Sequence, residues 1–225
     1  MSARIKPSTL VRTAKRRRYV TWPSSALFVL VALLATATAQ SEIPETKDRT
    51  VATARQAYFS GQYEEARSIA YELAQNEDAE AQLLMAQMLR EGKARSPNYV
   101  EAVRWVRRAA DRGDALAQVD MGISYRNGRG VTKNFIEAAK WFRRAAVKGH
   151  PVAQDQLAWM YVSGEGVSKN YLAGYAWFSI ALAQGWDRSK EAMELIEKAL
   201  PASQIAAAQK MSDQCLQSRY VACDW

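Results

Sequence analysis

The chain has 225 residues, 48% hydrophobic and 24% charged, the composition of an ordinary globular protein able to bury a core. Its formal charge of +8 points toward nucleic acid only at first sight, because Arg4, Lys6, Arg12, Lys15, Arg16, Arg17 and Arg18 all precede Gln40, in a stretch free of Asp and Glu. Taking those seven from the 31 basic residues leaves 24 against 23 acidic ones, so the remainder is almost neutral and no nucleic-acid partner is expected.

Residues 1–39 read as a secretory signal peptide. A basic stretch is followed by the apolar run 26–35 and by Ala37-Thr38-Ala39, a small-x-small cleavage site before Gln40. An uncleaved anchor is the alternative, but the apolar stretch is shorter than the roughly 20 residues that a spanning helix needs. No membrane span is therefore expected after cleavage. Residues 40–49, with Pro44 and mixed charge, read as a flexible leader.

From residue 79 onward the chain repeats itself every 36 residues without a gap. The step relates Ala81-Gln82, Ala117-Gln118 and Ala153-Gln154; Gly92, Gly128 and Gly164; Asn98, Asn134 and Asn170; and Trp105, Trp141 and Trp177. Within a unit, Ala117, Met121, Gly122 and Tyr125 sit at helical spacing ahead of the Gly128-Arg129-Gly130 break. Asn134 then caps a second helix carrying Phe135, Ala138, Trp141, Phe142 and Ala145, which Gly149 ends. Neither helix can bury its stripe alone, so neighbouring hairpins must stack. The predicted fold is all-α, an α/α superhelical solenoid of helix-turn-helix repeats, with repeats at 79–114, 115–150 and 151–186. Tyr63 and Ala66 stand 36 residues before Tyr99 and Ala102, marking 50–78 as a degenerate, tetratricopeptide-like helix pair that turns at Ser60-Gly61-Gln62.

Arg104, Arg107 and Arg108 on the second helix of the first repeat become Lys140, Arg143 and Arg144 in the next, then Ala176, Ser179 and Ile180. Charge vanishes from that face at the third repeat, so something must cover it. Residues 187–225, with helices expected at 190–199 and from Pro201 over 202–216, are read as a C-terminal cap. Cys215 and Cys223 fit an oxidising compartment and make one possible disulfide. On one continuous helix they would lie roughly 12 Å apart, so a bridge requires the chain to turn back near residues 217–219; two buried free thiols are the alternative.

Ala117-Gln118, Met121-Gly122, Tyr125, Gly128-Arg129-Gly130-Val131, Ala138, Trp141 and Ala145-Ala146 resemble the Sel-one-like repeat. The resemblance covers 79–186 well and 50–78 weakly. The first repeat departs at Met85-Ala86 and Gly92-Lys93-Ala94, which puts its loop geometry in question. The resemblance implies a right-handed superhelix that serves as an adaptor or regulator, in bacteria often in the envelope.

Chemistry is sparse. The single histidine, His150, stands at a repeat junction before Pro151 with no metal-ligating or acid–base partners near it in sequence, and reads as a junction filler. The glycine loops lack a preceding strand and the Lys-Ser/Thr of a phosphate cradle. No G-x-S-x-G or Ser-x-x-Lys motif occurs. No enzyme, cofactor or metal is expected. A periplasmic hydrolase acting on cell-wall or beta-lactam-like substrates is carried only as the alternative to a periplasmic or secreted protein-protein interaction scaffold.

The positions that drift between repeats are Leu83, Val119 and Asp155; Gln87, Ile123 and Trp159; and Arg90, Arg126 and Val162. They recur at i, i+4 and i+7, one stripe on each first helix. Stacking should align the stripes into an inner wall for a protein partner, with Ile123 and Trp159 as apolar anchors, Arg90 and Arg126 as charge readers and Gln87 between them. The basic ridge from Arg104 to Arg144 is a second surface, for acidic proteins or anionic polymers if it is more than a solvated helix face.

Overall fold

The computed structural model describes residues 49–223 and 225; the signal peptide and nearly all of the leader lie outside the described residues. The described residues hold ten α-helices and no strand. The degenerate pair is α1 (Val51–Phe59) and α2 (Tyr63–Gln75), and the first repeat α3 (Ala79–Glu91) and α4 (Tyr99–Asp111). The second repeat is α5 (Ala115–Asn127) and α6 (Phe135–Ala146), the third α7 (Pro151–Ser163) and α8 (Tyr171–Ala183). The tail forms α9 (Ser189–Ala199) and α10 (Ala202–Gln217). From α1 to α9 each helix packs on its neighbours in sequence, the pattern of a solenoid, whereas α10 returns to pack on α8.

The repeated residues explain the repeated structure. Asn98, Asn134 and Asn170 accept the third backbone N–H of α4, α6 and α8 at 3.0, 3.1 and 3.1 Å, satisfying donors that a helix start leaves orphaned. Asp78 and Asp114 do the same for α3 and α5 at 2.8 and 2.7 Å. His150 holds the equivalent place before α7 and makes no capping bond, with Pro151 supplying the helical start instead. Gly92, Gly128 and Gly164 end the first helices in the left-handed conformation, φ 71°, 70° and 77°.

The Ala-Gln pairs are the mortar between hairpins. Ala81, Ala117 and Ala153 are fully buried, and the adjoining Gln82, Gln118 and Gln154 donate to the carbonyls of Ala74, Ala110 and Ala146 at 2.9, 3.1 and 3.1 Å. Each glutamine thus ties the start of one first helix to the end of the preceding second helix. Trp105, Trp141 and Trp177 are buried at the same register. Gly122 lets α5 close on α6: a Cβ there would stand 2.6 Å from the Phe142 ring.

The second loop glycine has a different task. A Cβ on Gly130 would stand 2.2 Å from the carbonyl oxygen of Tyr99, and one on Gly166 the same distance from that of Phe135. Each loop therefore seats its backbone against the start of the previous repeat's second helix. In the first repeat Ala94 occupies this place and takes the same left-handed conformation, φ 65°, so the departure from the glycine pattern leaves the turn intact.

The tail covers the face of α8 that has lost its charge: α9 and α10 both pack on it, and Ala176 and Ile180 are fully buried. After α10 the chain reverses through Arg219 and Tyr220, both left-handed at φ 51° and 70°. The reversal brings Cys215 and Cys223, both buried, to a bridge with Cα atoms 5.1 Å apart.

Candidate partner-binding surface

The drifting stripe of the first helices splits into three kinds of place. At its first position Val119 and Asp155 are buried, and Asp155 accepts a 2.9 Å hydrogen bond from Ser189 Oγ of the tail. The expectation that the stripe forms open wall along its whole length is corrected here for Val119 and Asp155, whereas Leu83, at the same position of α3, is half-buried. At the last position the arginines reach sideways. Arg90 forms a 2.9 Å ion pair with Asp120 of the next hairpin, and Arg126 donates to Gln156 one repeat on. The guanidinium groups therefore clamp adjacent first helices together while their side chains stay half exposed.

The middle position holds Gln87, Ile123 and Trp159. Gln87 donates to Tyr58 Oη at 3.2 Å and to Glu91 at 2.9 Å. Tyr58 in turn donates to Glu91; this bond to a carboxylate pushes the phenol up to about 12, and holds Glu91 below the usual carboxylate range. Ile123 is half-buried. Trp159 is the outlier, a tryptophan 43% exposed.

Trp159 stands edge-on to Phe178, ring centroids 5.3 Å apart, at the mouth of a hollow of about 260 Å³ between α7, α8 and α9. Its walls are apolar: Val162, Tyr171, Phe178, Leu195, Ile196 and Leu200 contribute, with Leu195 63% and Tyr171 39% exposed. Sequence reasoning singled out Trp159 but missed Leu195 and Leu200. The signal was present in the tail's helical pattern, yet only the docking of α9 on α8 shows that these leucines share a face with Trp159. The hollow holds no titratable pair.

His150 is half-buried, its Nδ1 enclosed without a hydrogen-bond partner among the described residues, and burial depresses its pKa below the ordinary imidazole value. Tyr175, buried beneath the tail, donates to Glu197 at 2.6 Å, and burial followed by that bond raises its pKa.

Fold and surface together define an α-solenoid of stacked hairpins with an apolar recess where the tail meets the last repeat. Its three central hairpins match the Sel1 repeat at residues 79–114, 115–150 and 151–186, and the chain belongs to the Sel1-like repeat family. It is similar to a Sel1 repeat protein from Oxalobacter formigenes, 31% identical with a TM-score of 0.61 over 65% of this chain and 60% of that one. It is also similar to c5321, a protective antigen present in uropathogenic Escherichia coli strains and displaying an SLR fold. That likeness is 28% identity with a TM-score of 0.65 over 89% of this chain and 47% of that one. The chain spans less than two thirds of either relative's length. No curated protein matches the sequence. Sel1 repeat proteins are generally protein-interaction scaffolds. Among the described residues no helix is long and apolar enough to cross a membrane, and no group of three His, Cys, Asp or Glu side chains could hold a metal ion.

Proposed function

We propose that the chain is an exported scaffold, periplasmic or secreted, that acts as an adaptor or regulator by holding a partner protein at the Trp159 recess. The single observation that carries this reading is the half-exposed indole of Trp159 at the rim of an apolar hollow. An exposed aromatic anchor beside a desolvated pocket is the usual centre of a protein interface. Ile123 and Gln87 extend the contact along α5 and α3, and Arg90 and Arg126, fixed by Asp120 and Gln156, border it with positive charge. The export pattern of residues 1–39 and the bridge between Cys215 and Cys223 both support an oxidising compartment outside the cytoplasm. No observation favours the hydrolase alternative.

The test is site-directed cross-linking in envelope extract, with a photoreactive group at position 195. Discrete adducts should form, and Trp159→Ala together with Arg126→Ala should abolish them while circular dichroism shows unchanged helix content. Undiminished adducts in a variant of unchanged helix content would remove the reading.

A further inference from the structure

The chain's last residues reveal what one pair of repeated side chains can bind. Arg143 on α6 and Tyr161 on α7 together hold the tail by its main chain. Arg143 donates to the carbonyl of Cys223 at 3.3 Å and to a terminal carboxylate oxygen of Trp225 at 2.9 Å, and Tyr161 adds its hydroxyl to the same Trp225 oxygen. The Trp225 ring stacks edge-on against Trp177, centroids 5.1 Å apart. Arg143 and Tyr161 are themselves hydrogen-bonded, so the donors form one preorganised unit.

The same unit exists one repeat earlier. Arg107 and Tyr125 stand 36 residues before Arg143 and Tyr161, joined by a 2.6 Å bond, with the guanidinium 5.7 Å from the phenol ring against 5.9 Å in the occupied pair. The adjoining loop, Val131 to Asn134, repeats the Val167 to Asn170 stretch that borders the occupied site. Among the described residues no further hydrogen bond is accepted from Arg107 or from the Tyr125 hydroxyl, and the guanidinium lies 5.9 Å over the Trp141 ring. One difference between the sites is instructive. Where the occupied site has the buried Ile180, the earlier one has Arg144, exposed and lying 4.5 Å over the Trp141 ring.

We propose that Arg107 and Tyr125 bind an acidic peptide segment of a partner protein. A main-chain carbonyl and a carboxylate oxygen would sit on the donors that grip the tail in the next repeat, and a further acidic side chain would pair with Arg144. The chemistry of the ligand is read from the molecule itself: the tail offers these donors a main-chain carbonyl and a carboxylate oxygen, and Arg144, standing where the next repeat has the buried Ile180, adds a charge that selects acid. This surface is separate from the Trp159 recess. Tyr125 lies two residues past Ile123 on α5 and so faces away from the drifting stripe, and the proposal stands whether or not that recess binds a partner.

The probe is a fluorescent, N-acetylated peptide of residues 220–225 carrying Cys223→Ser, titrated with the full chain at low salt and followed by anisotropy. Saturable binding is expected, weakened about fivefold or more by Tyr125→Phe and again by Arg107→Met, the cost of losing a charge-assisted or neutral hydrogen bond to the ligand. Tyr161→Phe should change the affinity less than about twofold, since that pair is engaged with the chain's own tail. Absence of saturable binding overturns the proposal, as does an affinity indifferent to Tyr125→Phe. A larger loss in Tyr161→Phe would show that the peptide merely displaces the tail, and equally strong competition by inorganic polyphosphate would show a polyanion surface; either result also overturns it.

Discussion

Gln118 illustrates how a repeat can be fully periodic in sequence and still unequal in satisfaction. All three buried glutamines use their amide nitrogen on the preceding hairpin, but their oxygens fare differently. Arg112 reaches both the Glu77 carbonyl and the Gln82 oxygen, at 2.6 and 2.8 Å, and Gln184 supplies the Gln154 oxygen. Among the described residues Lys148, at the corresponding position between them, donates only to the Gly113 carbonyl, and the buried Gln118 oxygen has no donor. Lys148→Arg should therefore stabilise the fold by roughly 1 kcal/mol, because the planar fork can serve both acceptors where an ammonium serves one. Thermal unfolding of the variant checks it. His150 is the second unequal position. Asn in its place would cap α7 as Asn134 caps α6, raising stability by about 1 kcal/mol at neutral pH. His150→Asn should also flatten the acid side of the stability profile. The folded state holds the imidazole below its ordinary pKa of 6.5, so its contribution is present above that value and lost as pH falls toward the depressed one. Denaturant midpoints between neutral and acidic pH report both effects.

At the scale of elements, two contacts decide how hairpins meet, and they differ in how visible they were. The glycine of each loop was readable as a turn, but its closeness to the previous repeat was not, since no local pattern reports a backbone pressed against Tyr99 or Phe135. Gly130→Ala should cost about 3 kcal/mol or more, lowering the melting temperature by roughly 6–12 °C. The same change is already present at Ala94, and Ala94→Gly should gain about 1 kcal/mol by relieving a left-handed alanine. The helical tail was legible from the charge that α8 lacks, and its return from the cysteine spacing. The grip of Arg143 and Tyr161 on it was not. Arg143 looked like one more outward cation until the second helix of one repeat was seen to lie against the first helix of the next. Cys215→Ser with Cys223→Ser frees this reversal; by chain entropy alone the loss is roughly 2–3 kcal/mol, measured as a shift in urea midpoint.

At the scale of the molecule, the 36-residue period fixed the architecture from sequence alone, because stacking is the only way such hairpins can bury their stripes. The binding surface was only partly legible. Periodicity marks where side chains drift but not which of them a neighbour will cover, so Asp155 and Val119 were grouped with Trp159 although Ser189 and adjoining helices enclose them. The export reading belongs to this scale too. Intact-mass measurement of the protein recovered from a secreting host should give a chain beginning at Gln40, and a retained residue 1–39 segment would contradict it.

The sealed outer face of α8 has one further consequence, for how such a protein can lengthen. A hairpin appended after residue 186 would find α9 and α10 already in its seat, whereas a hairpin duplicated from 115–150 and spliced beside its parent would meet the partners its own sequence expects. Growth at this end of the repeat array is therefore directional, by intercalation ahead of α9, where an added unit finds the contacts its own sequence expects.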